Sequence, residues 1–220
     1  MSALDRQANL LGALALVITD QSAQAAAAAA GQSASAAAAL SALHHFLDRP
    51  TLDQLHKVLG LTPSGAVRLV DRLAEAGLVT RGTGHDGRSR SVVLTEAGER
   101  VAGQITAARA ALLGSLLDDL SAPERETLHA LLSRIMASAV RGKEGGAWIC
   151  RLCDLDACGR ASGQCPAANA AALKYPAARG AGPPARPGPR QRPGAPARSS
   201  PGSRGTGGTI RAGRPRANPT

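Results

Sequence analysis

The sequence predicts a mainly α-helical fold carrying one small β-hairpin. Three observations support this. Apolar residues recur every three or four positions through most of residues 3–142, the spacing of helices that pack on one side. That rhythm gives way at "LVTRGTGHDGRSRSVVLT" (Leu78–Thr95), where apolar and β-branched residues flank a glycine-rich loop; this is the pattern of a strand, a reversal and a returning strand. Residues suited to starting and stopping helices, among them Ser33, Thr62, Ser121, Gly60 and Gly77, stand at the ends of the periodic runs.

Each element can be justified in order. An alanine-rich helix is expected over about residues 3–29, because alanine is the best helix former. "GQSAS" (Gly31–Ser35) breaks it, and Ser33 or Ser35 caps a second helix over about 34–47. "DRPT" turns the chain, and Leu52, Leu55 and Leu59 mark a short helix ending at Gly60. Thr62 caps the next helix, with Pro63 at its first position and Gly77 at its stop. After the hairpin, Val101, Ile105, Ala108, Leu112, Leu116 and Leu120 predict a long helix over about 96–120. Ser121 and Pro123 open a last helix lined by Leu128, Leu131, Ile135 and Ala139, stopping near Gly142. Three helices followed by a two-stranded hairpin are the parts of a winged helix-turn-helix, here with further helices flanking it on both sides.

Charge separates a tail from the rest. The formal net charge is +10, and Pro176–Thr220 holds nine arginines, no lysine and no acid, which leaves residues 1–175 near neutral at +1. The same segment holds ten of the fourteen prolines, so it cannot bury enough apolar surface to offset the entropy of ordering, and disorder is expected. Two readings of it stay open: a basic arm that binds nucleic acid through phosphates, or a composition set by GC-rich coding alone. At the other end, Leu10–Ile18 is apolar like the core of a secretory signal, but Asp5 offsets Arg6 ahead of it and the stretch is too short to span a bilayer. An amphipathic helix in a cytoplasmic protein, with no membrane partner, is the reading adopted.

The helix from Thr62 to Gly77 carries the best chemical signal. On a helical wheel Ser64, Arg68, Asp71, Arg72 and Glu75 share an arc of about a quarter turn, and Leu69, Val70, Leu73 and Ala74 lie opposite. One side packs; the other offers hydroxyl and guanidinium groups able to meet phosphate or guanine edges. The plain alternative is a solvated face on which Arg68 or Arg72 pairs with Asp71 or Glu75. In the hairpin, His85, Arg88 and Arg90 lie in or beside the loop, where a basic tip can reach a minor groove. Asp86 stands two residues before Arg88 and is placed to orient it.

"LGLTPSGAVRLVDRLAEAGLVTRGTGHDGRSRSVVLTEAGERV" resembles the multiple-antibiotic-resistance regulator (MarR) family of bacterial transcription factors. The matching features are a helix-turn-helix ending in "LVDRLAEAGLV", the Asp-x-Arg wing at Asp86 and Arg88, and "LTEAG" opening the next helix. The resemblance implies a winged-helix homodimer whose first and last two helices form the interface. It implies that Ser64, Gly65, Arg68 and Arg72 lie in the major groove, and Arg88 in the minor groove, held by Asp86. With Thr62 and Arg90 beside them, these are the candidate DNA-binding residues. The implied partner is double-stranded DNA with a palindromic operator, the implied action repression, and small-molecule release from DNA is a common control. The resulting layout is residues 1–33 as dimerisation helix, 34–95 as DNA-binding domain, 96–142 as dimerisation helices, 147–170 as a cysteine segment and 176–220 as tail.

The cysteine segment is outside the family pattern. All four cysteines of the chain fall in "CRLCDLDACGRASGQC", spaced C-x2-C-x4-C-x6-C at Cys150, Cys153, Cys158 and Cys165. In a reducing compartment such crowding points to metal or redox chemistry. Four thiolates suit zinc or an iron–sulfur cluster, and spacing does not choose between them; thiol redox chemistry is the other option. Such a centre either staples the end of the last helix or senses metal or oxidant. The histidines fit packed or solvated positions, and no Ser/His/Asp set, phosphate loop or carboxylate pair stands out, so no enzyme is expected. A rival reading is a metal- or redox-carrier module held to nucleic acid non-specifically by the tail.

Overall fold

The computed structural model describes residues 2–83, 90–140 and 148–175. The helices and strands are α1 (Ala3–Ala30), α2 (Ala34–His45), α3 (Leu52–Leu59), α4 (Pro63–Glu75), β1 (Val79–Thr83), β2 (Arg90–Leu94), α5 (Glu96–Ser115) and α6 (Ala122–Ala139). A 3₁₀ turn at Cys150–Leu152 and a further helix, α7 (Pro166–Lys174), follow. The fold class is the predicted one: helical, with a two-stranded antiparallel sheet. The tail from residue 176 onward lies outside the described residues.

α2 is the centre of the fold. Its residues Ala36 to Leu43 are all buried, as expected of a helix that is apolar on every side. α1, α3, α4, α5 and β2 all pack on it. The main core joins Leu40, Leu55, Leu69, Val70, Leu73, Val79, Val92 and Ile105. Two imidazoles fasten α2 to α5: His44 Nδ1 lies 2.7 Å from Glu99 Oε2, and His45 Nε2 lies 2.9 Å from Thr106 Oγ1.

Local chemistry fixes the helix ends. The Thr51 hydroxyl accepts the Gln54 N–H at 3.2 Å while the Gln54 side-chain oxygen accepts the Thr51 N–H at 2.9 Å, a reciprocal cap. α3 stops at Gly60, whose φ of 65° suits glycine. In the hairpin Val79 stands opposite Leu94 and Thr83 opposite Arg90. Thr51 bridges to Ser91, and the Val92 N–H donates to the Pro50 carbonyl at 2.9 Å. The "DRPT" stretch, expected only to turn the chain, is therefore also an edge of the small sheet.

α5 ends earlier than expected, at Ser115 rather than near residue 120. Gly114 weakens the last turn, and Asp118 and Asp119 put negative charge where a helix already carries its negative pole. The chain tightens instead through Leu117 N–H to Gly114 O at 2.8 Å and Leu120 N–H to Leu117 O at 3.1 Å. Ser121 then opens α6, its N–H and hydroxyl both donating to the Glu124 carboxylate.

Two helices keep apolar faces uncovered. On α1, Leu4, Leu10, Leu11, Leu14, Leu16 and Val17 are exposed. α6 buries none of its residues, and Leu131, Leu132 and Ile135 stand about half exposed. An 18-residue window of α1 reaches a mean hydropathy of 1.2, enough by length and composition alone to cross a membrane. This exceeds what the nine-residue apolar stretch led us to expect. Within this fold α1 lies against α2 and α5, burying Ser22, Ala26 and Ala30.

Candidate nucleic-acid interface

α3 and α4 form the helix-turn-helix, and the turn between them is built from three residues. Gly60 reverses the backbone, Leu61 crosses it, and His56 reaches over, its Nδ1 lying 3.2 Å from the Leu61 carbonyl oxygen. Thr62 then caps α4, its hydroxyl accepting the Gly65 N–H at 3.1 Å. That hydroxyl also lies 3.4 Å from the Ser64 hydroxyl. Thr62, a candidate DNA contact, thus spends its side chain on starting the helix.

The two-sided character read from the wheel is present. Ala66, Leu69, Val70 and Leu73 are buried, while Ser64, Arg68 and Arg72 are exposed and Gly65 is half-buried. Asp71 does not pair with either arginine of α4; it pairs with Arg81 on β1. Among the described residues no ion pair or hydrogen bond engages the Arg68 or Arg72 guanidinium. Both side chains are therefore available to an anion outside the chain. The Asp71–Arg81 pair ties α4 to the hairpin, a role for Arg81 that sequence reasoning missed. Arg90 begins β2 and is exposed. Asp86 and Arg88, the proposed wing pair, lie outside the described residues.

The base of the wing is held by α5. Thr95 caps that helix, its hydroxyl donating to the Gly77 carbonyl at 2.7 Å, and its N–H donates to the Leu78 carbonyl at 3.1 Å. Gly98 lies buried against Leu78 and Leu94. "LTEAG" is thus a packing motif: a threonine to hook the preceding turn, then a glycine to let the helix sit on it.

The cysteine segment forms its own small core at the end of α6. Val140, Cys165, Ala167 and Ala170 are buried together, with Met136, Ile149 and Cys158 around them. α7 packs on α6, and Lys174 Nζ donates to the Ala137, Ser138 and Val140 carbonyls at 2.7, 3.4 and 3.1 Å. That closes the carbonyl end of α6, where a cation is favoured. α7 was not foreseen, although Pro166 at its first position and an alanine run were visible signals.

All four thiols are free. Cys150 and Cys153 influence one another's protonation, as do Cys158 and Cys165, while the Cys153 thiol donates to the Ile149 carbonyl at 3.8 Å and the Cys158 thiol to the Leu155 carbonyl at 3.5 Å. Interaction with Cys150 holds the Cys153 thiol below the usual range against the opposing effect of burial, aided by Arg109, Arg160 and Arg151. The same interaction and burial push Cys150 up, and burial, then the nearby Cys165, raise Cys158. Arg160 Nη1 donates to Cys150 Sγ at 3.4 Å. Among the described residues no group of three or more His, Cys, Asp or Glu side chains is placed to hold a metal ion.

This segment touches the reading head. Trp148 lies over Gly60: a methyl carbon added to that glycine would meet the indole Nε1 at 3.3 Å. The Arg151 guanidinium stacks on the Trp148 ring at 4.3 Å and donates to the Trp148 carbonyl at 2.8 Å. The Cys150–Leu152 turn packs on α2.

Comparisons with known proteins agree with this architecture. The sequence matches the MarR family over residues 30–89, which spans α2, α3, α4 and β1. Among solved structures, RV1404 from Mycobacterium tuberculosis is 24% identical, covering 64% of this chain and 97% of its own, with a TM-score of 0.55. MepR, a transcription regulator of the Staphylococcus aureus multidrug efflux pump MepA, is 20% identical over 60% of this chain and 96% of its own, with a TM-score of 0.53. A MarR family protein from Bacillus stearothermophilus is 20% identical over 64% and 99%, with a TM-score of 0.53. Residues 30–89 are a MarR-family domain, set in a chain with the MarR-type winged-helix fold.

Proposed function

We propose that this chain is a homodimeric, sequence-specific DNA-binding transcription regulator of the cytoplasm, a repressor rather than an enzyme. The observation that carries the reading is the free cationic edge of α4. Arg68 and Arg72 are exposed, and unpaired among the described residues, on a helix whose other side is locked into the core. A recognition helix requires this combination, since bidentate arginine contacts to guanine need a rigid base beneath them. Arg90, and Arg88 oriented by Asp86, would extend the contact into the minor groove.

The dimer reading rests on the apolar faces of α1 and α6. Leu10, Leu14, Leu131 and Ile135 are too exposed for a lone soluble chain to leave uncovered in such number. A second copy, related by a two-fold axis, would cover them and set two α4 helices about one helical turn of DNA apart. The cysteine segment, bound to zinc or an iron–sulfur cluster or acting through thiol redox state, would be the control element in place of a small-molecule effector. Its contacts with α2, the helix-turn-helix turn and α6 support that role.

Footprinting on genomic fragments at ordinary ionic strength tests the reading. A palindromic protected site, lost in Arg68→Ala, is the expected result. Uniform coverage that disappears with added salt would instead mark non-specific binding through the basic tail.

A further inference from the structure

We propose that Trp148 is a positioning residue for DNA recognition: its indole braces the turn between α3 and α4 and so fixes the angle at which α4 meets the duplex. This rests on the reading of α4 as the recognition helix and adds to it a residue from a distant part of the chain.

The turn needs support from outside itself. Gly60, Leu61 and Thr62 are the covalent link between α3 and α4. α3 has eight residues and buries only Leu55 and Val58, while Leu59 and Leu61 beside the turn are partly buried. Little apolar area therefore holds this end of α3. The bonds within the turn are local: the Leu61 N–H donates to the His56 carbonyl at 3.0 Å, and His56 Nδ1 lies 3.2 Å from the Leu61 carbonyl oxygen. Bonds of that kind shape the turn without tying it to the rest of the fold.

Trp148 supplies the tie. The nitrogen-bearing edge of its indole lies over Gly60, where an added methyl carbon would stand 3.3 Å from Nε1 and 3.6 Å from Cδ1. Glycine is required there twice, for its φ of 65° and for the room the indole takes. The face of the ring carries the Arg151 guanidinium at 4.3 Å, a cation–π contact, and that guanidinium also donates to the Trp148 carbonyl at 2.8 Å. The side chain is thus fixed at an edge and a face, although about half of it meets solvent.

The other end of the brace is firm. The Cys150–Leu152 turn, two residues on, packs on α2, the helix that is buried from Ala36 to Leu43. The Cys153 N–H closes that turn on the Cys150 carbonyl at 2.9 Å. Beyond it, α7 packs on α6 and Lys174 closes the carbonyl end of that helix. Trp148 therefore links the centre of the fold to the pivot of the reading head. Binding groups need to be held within about 0.5 Å of their working positions, and the turn sets the angle from which Arg68 and Arg72 would reach base edges.

Hydrogen exchange on the full-length protein without DNA tests the brace. In Trp148→Ala the amides of residues 56–66 should exchange on the order of tenfold faster, because local opening becomes easier, while those of α5 and α6 keep their rates. Trp148→Phe keeps an aromatic ring on the turn and should restore most of the protection. Unchanged exchange at residues 56–66 in Trp148→Ala would overturn the proposal, and so would equal acceleration throughout the chain, which marks a general loss of stability. Trp148 is the only tryptophan of the chain, so Arg151→Ala gives a second view. Acrylamide quenching of the indole should rise in that variant; quenching identical to the parent protein's would remove the stack from the brace. On an operator fragment Trp148→Ala should bind about tenfold more weakly with base preference kept, whereas Arg68→Ala relaxes that preference. Full affinity despite a loosened turn would sink the positioning role. A turn loosened by Trp148→Ala in a protein that finds no operator would overturn the recognition reading and leave the brace standing, so the two failures are distinguishable.

Discussion

Gly98→Ala offers a sharp test of how α5 carries the wing. In an exposed helix this change gains about 1 kcal/mol, because alanine orders more cheaply than glycine. At Gly98 the added methyl carbon would stand 3.0 Å from the Leu78 carbonyl carbon and 3.1 Å from Leu94 Cδ2, and inside the contact shell of the Leu78 carbonyl oxygen. The obstacle is mainly backbone, so the helix must retreat by on the order of 1 Å rather than a side chain turn aside. Overpacking of that kind costs about 1–3 kcal/mol. The retreat also strains the Thr95 bonds to Leu78 and Gly77, each worth about 1 kcal/mol. The net loss should be about 2–3 kcal/mol, or roughly 5–10 °C in Tm for a folded unit of this size. The control lies on the same helix: Gly103 has nothing within 4 Å of an added methyl, so Gly103→Ala should hold or raise Tm. Thermal melts at one fixed protein concentration decide it, since a dimer's Tm depends on concentration. If Gly98→Ala melts with Gly103→Ala, the proposed contact between α5 and the β1 turn is not real.

Four further outcomes are expected. Arg68→Ala should cost about 1–3 kcal/mol of operator affinity and relax base preference at one position of each half-site, with melting unchanged; a titration showing no loss would remove Arg68 from the interface. Thr62→Ala should lower stability by about 1 kcal/mol through the lost cap, which urea denaturation would read as a lower midpoint at constant slope. Ile135→Asp on α6 should yield monomers by light scattering with helicity retained, because that helix buries nothing in the isolated chain. His45 is held below the usual imidazole value of 6.5, first by burial and then by His44, against Asp154 and Asp156. Its neutral form is therefore favoured by folding, and its contribution is lost as pH falls through the unfolded value. His45→Gln should flatten the decline in Tm between about pH 7.5 and 5.5; an unaltered slope would contradict it.

The fold was legible wherever local chemistry and apolar spacing agreed. Thr62, Pro63 and Gly77 announce α4 in any context, because a cap, a donor-free first residue and a stop act over one turn. The end of α5 was misplaced because leucine spacing continues through Leu116 and Leu120 while Gly114 and the two aspartates oppose the helix. Periodicity registers which face would be apolar, not whether the backbone can afford another turn. The sheet edge at Pro50 and Thr51 was missed for a different reason. A two-residue pairing with Ser91 and Val92 leaves no pattern of its own, and only the path of the chain brings those segments together.

The site divides along the same line. Which side of α4 faces outward follows from its own residues, and Ser64, Arg68 and Arg72 are where the wheel put them. Whether those arginines were free did not follow, because Asp71 might have taken either one. The answer came from β1, where Arg81 takes the carboxylate instead. The same reasoning applies to the cysteine segment, whose spacing could not show its neighbours. Arg109 lies some forty residues earlier, and Gly60 some ninety, so no local rule could bring them to Cys153 and Trp148.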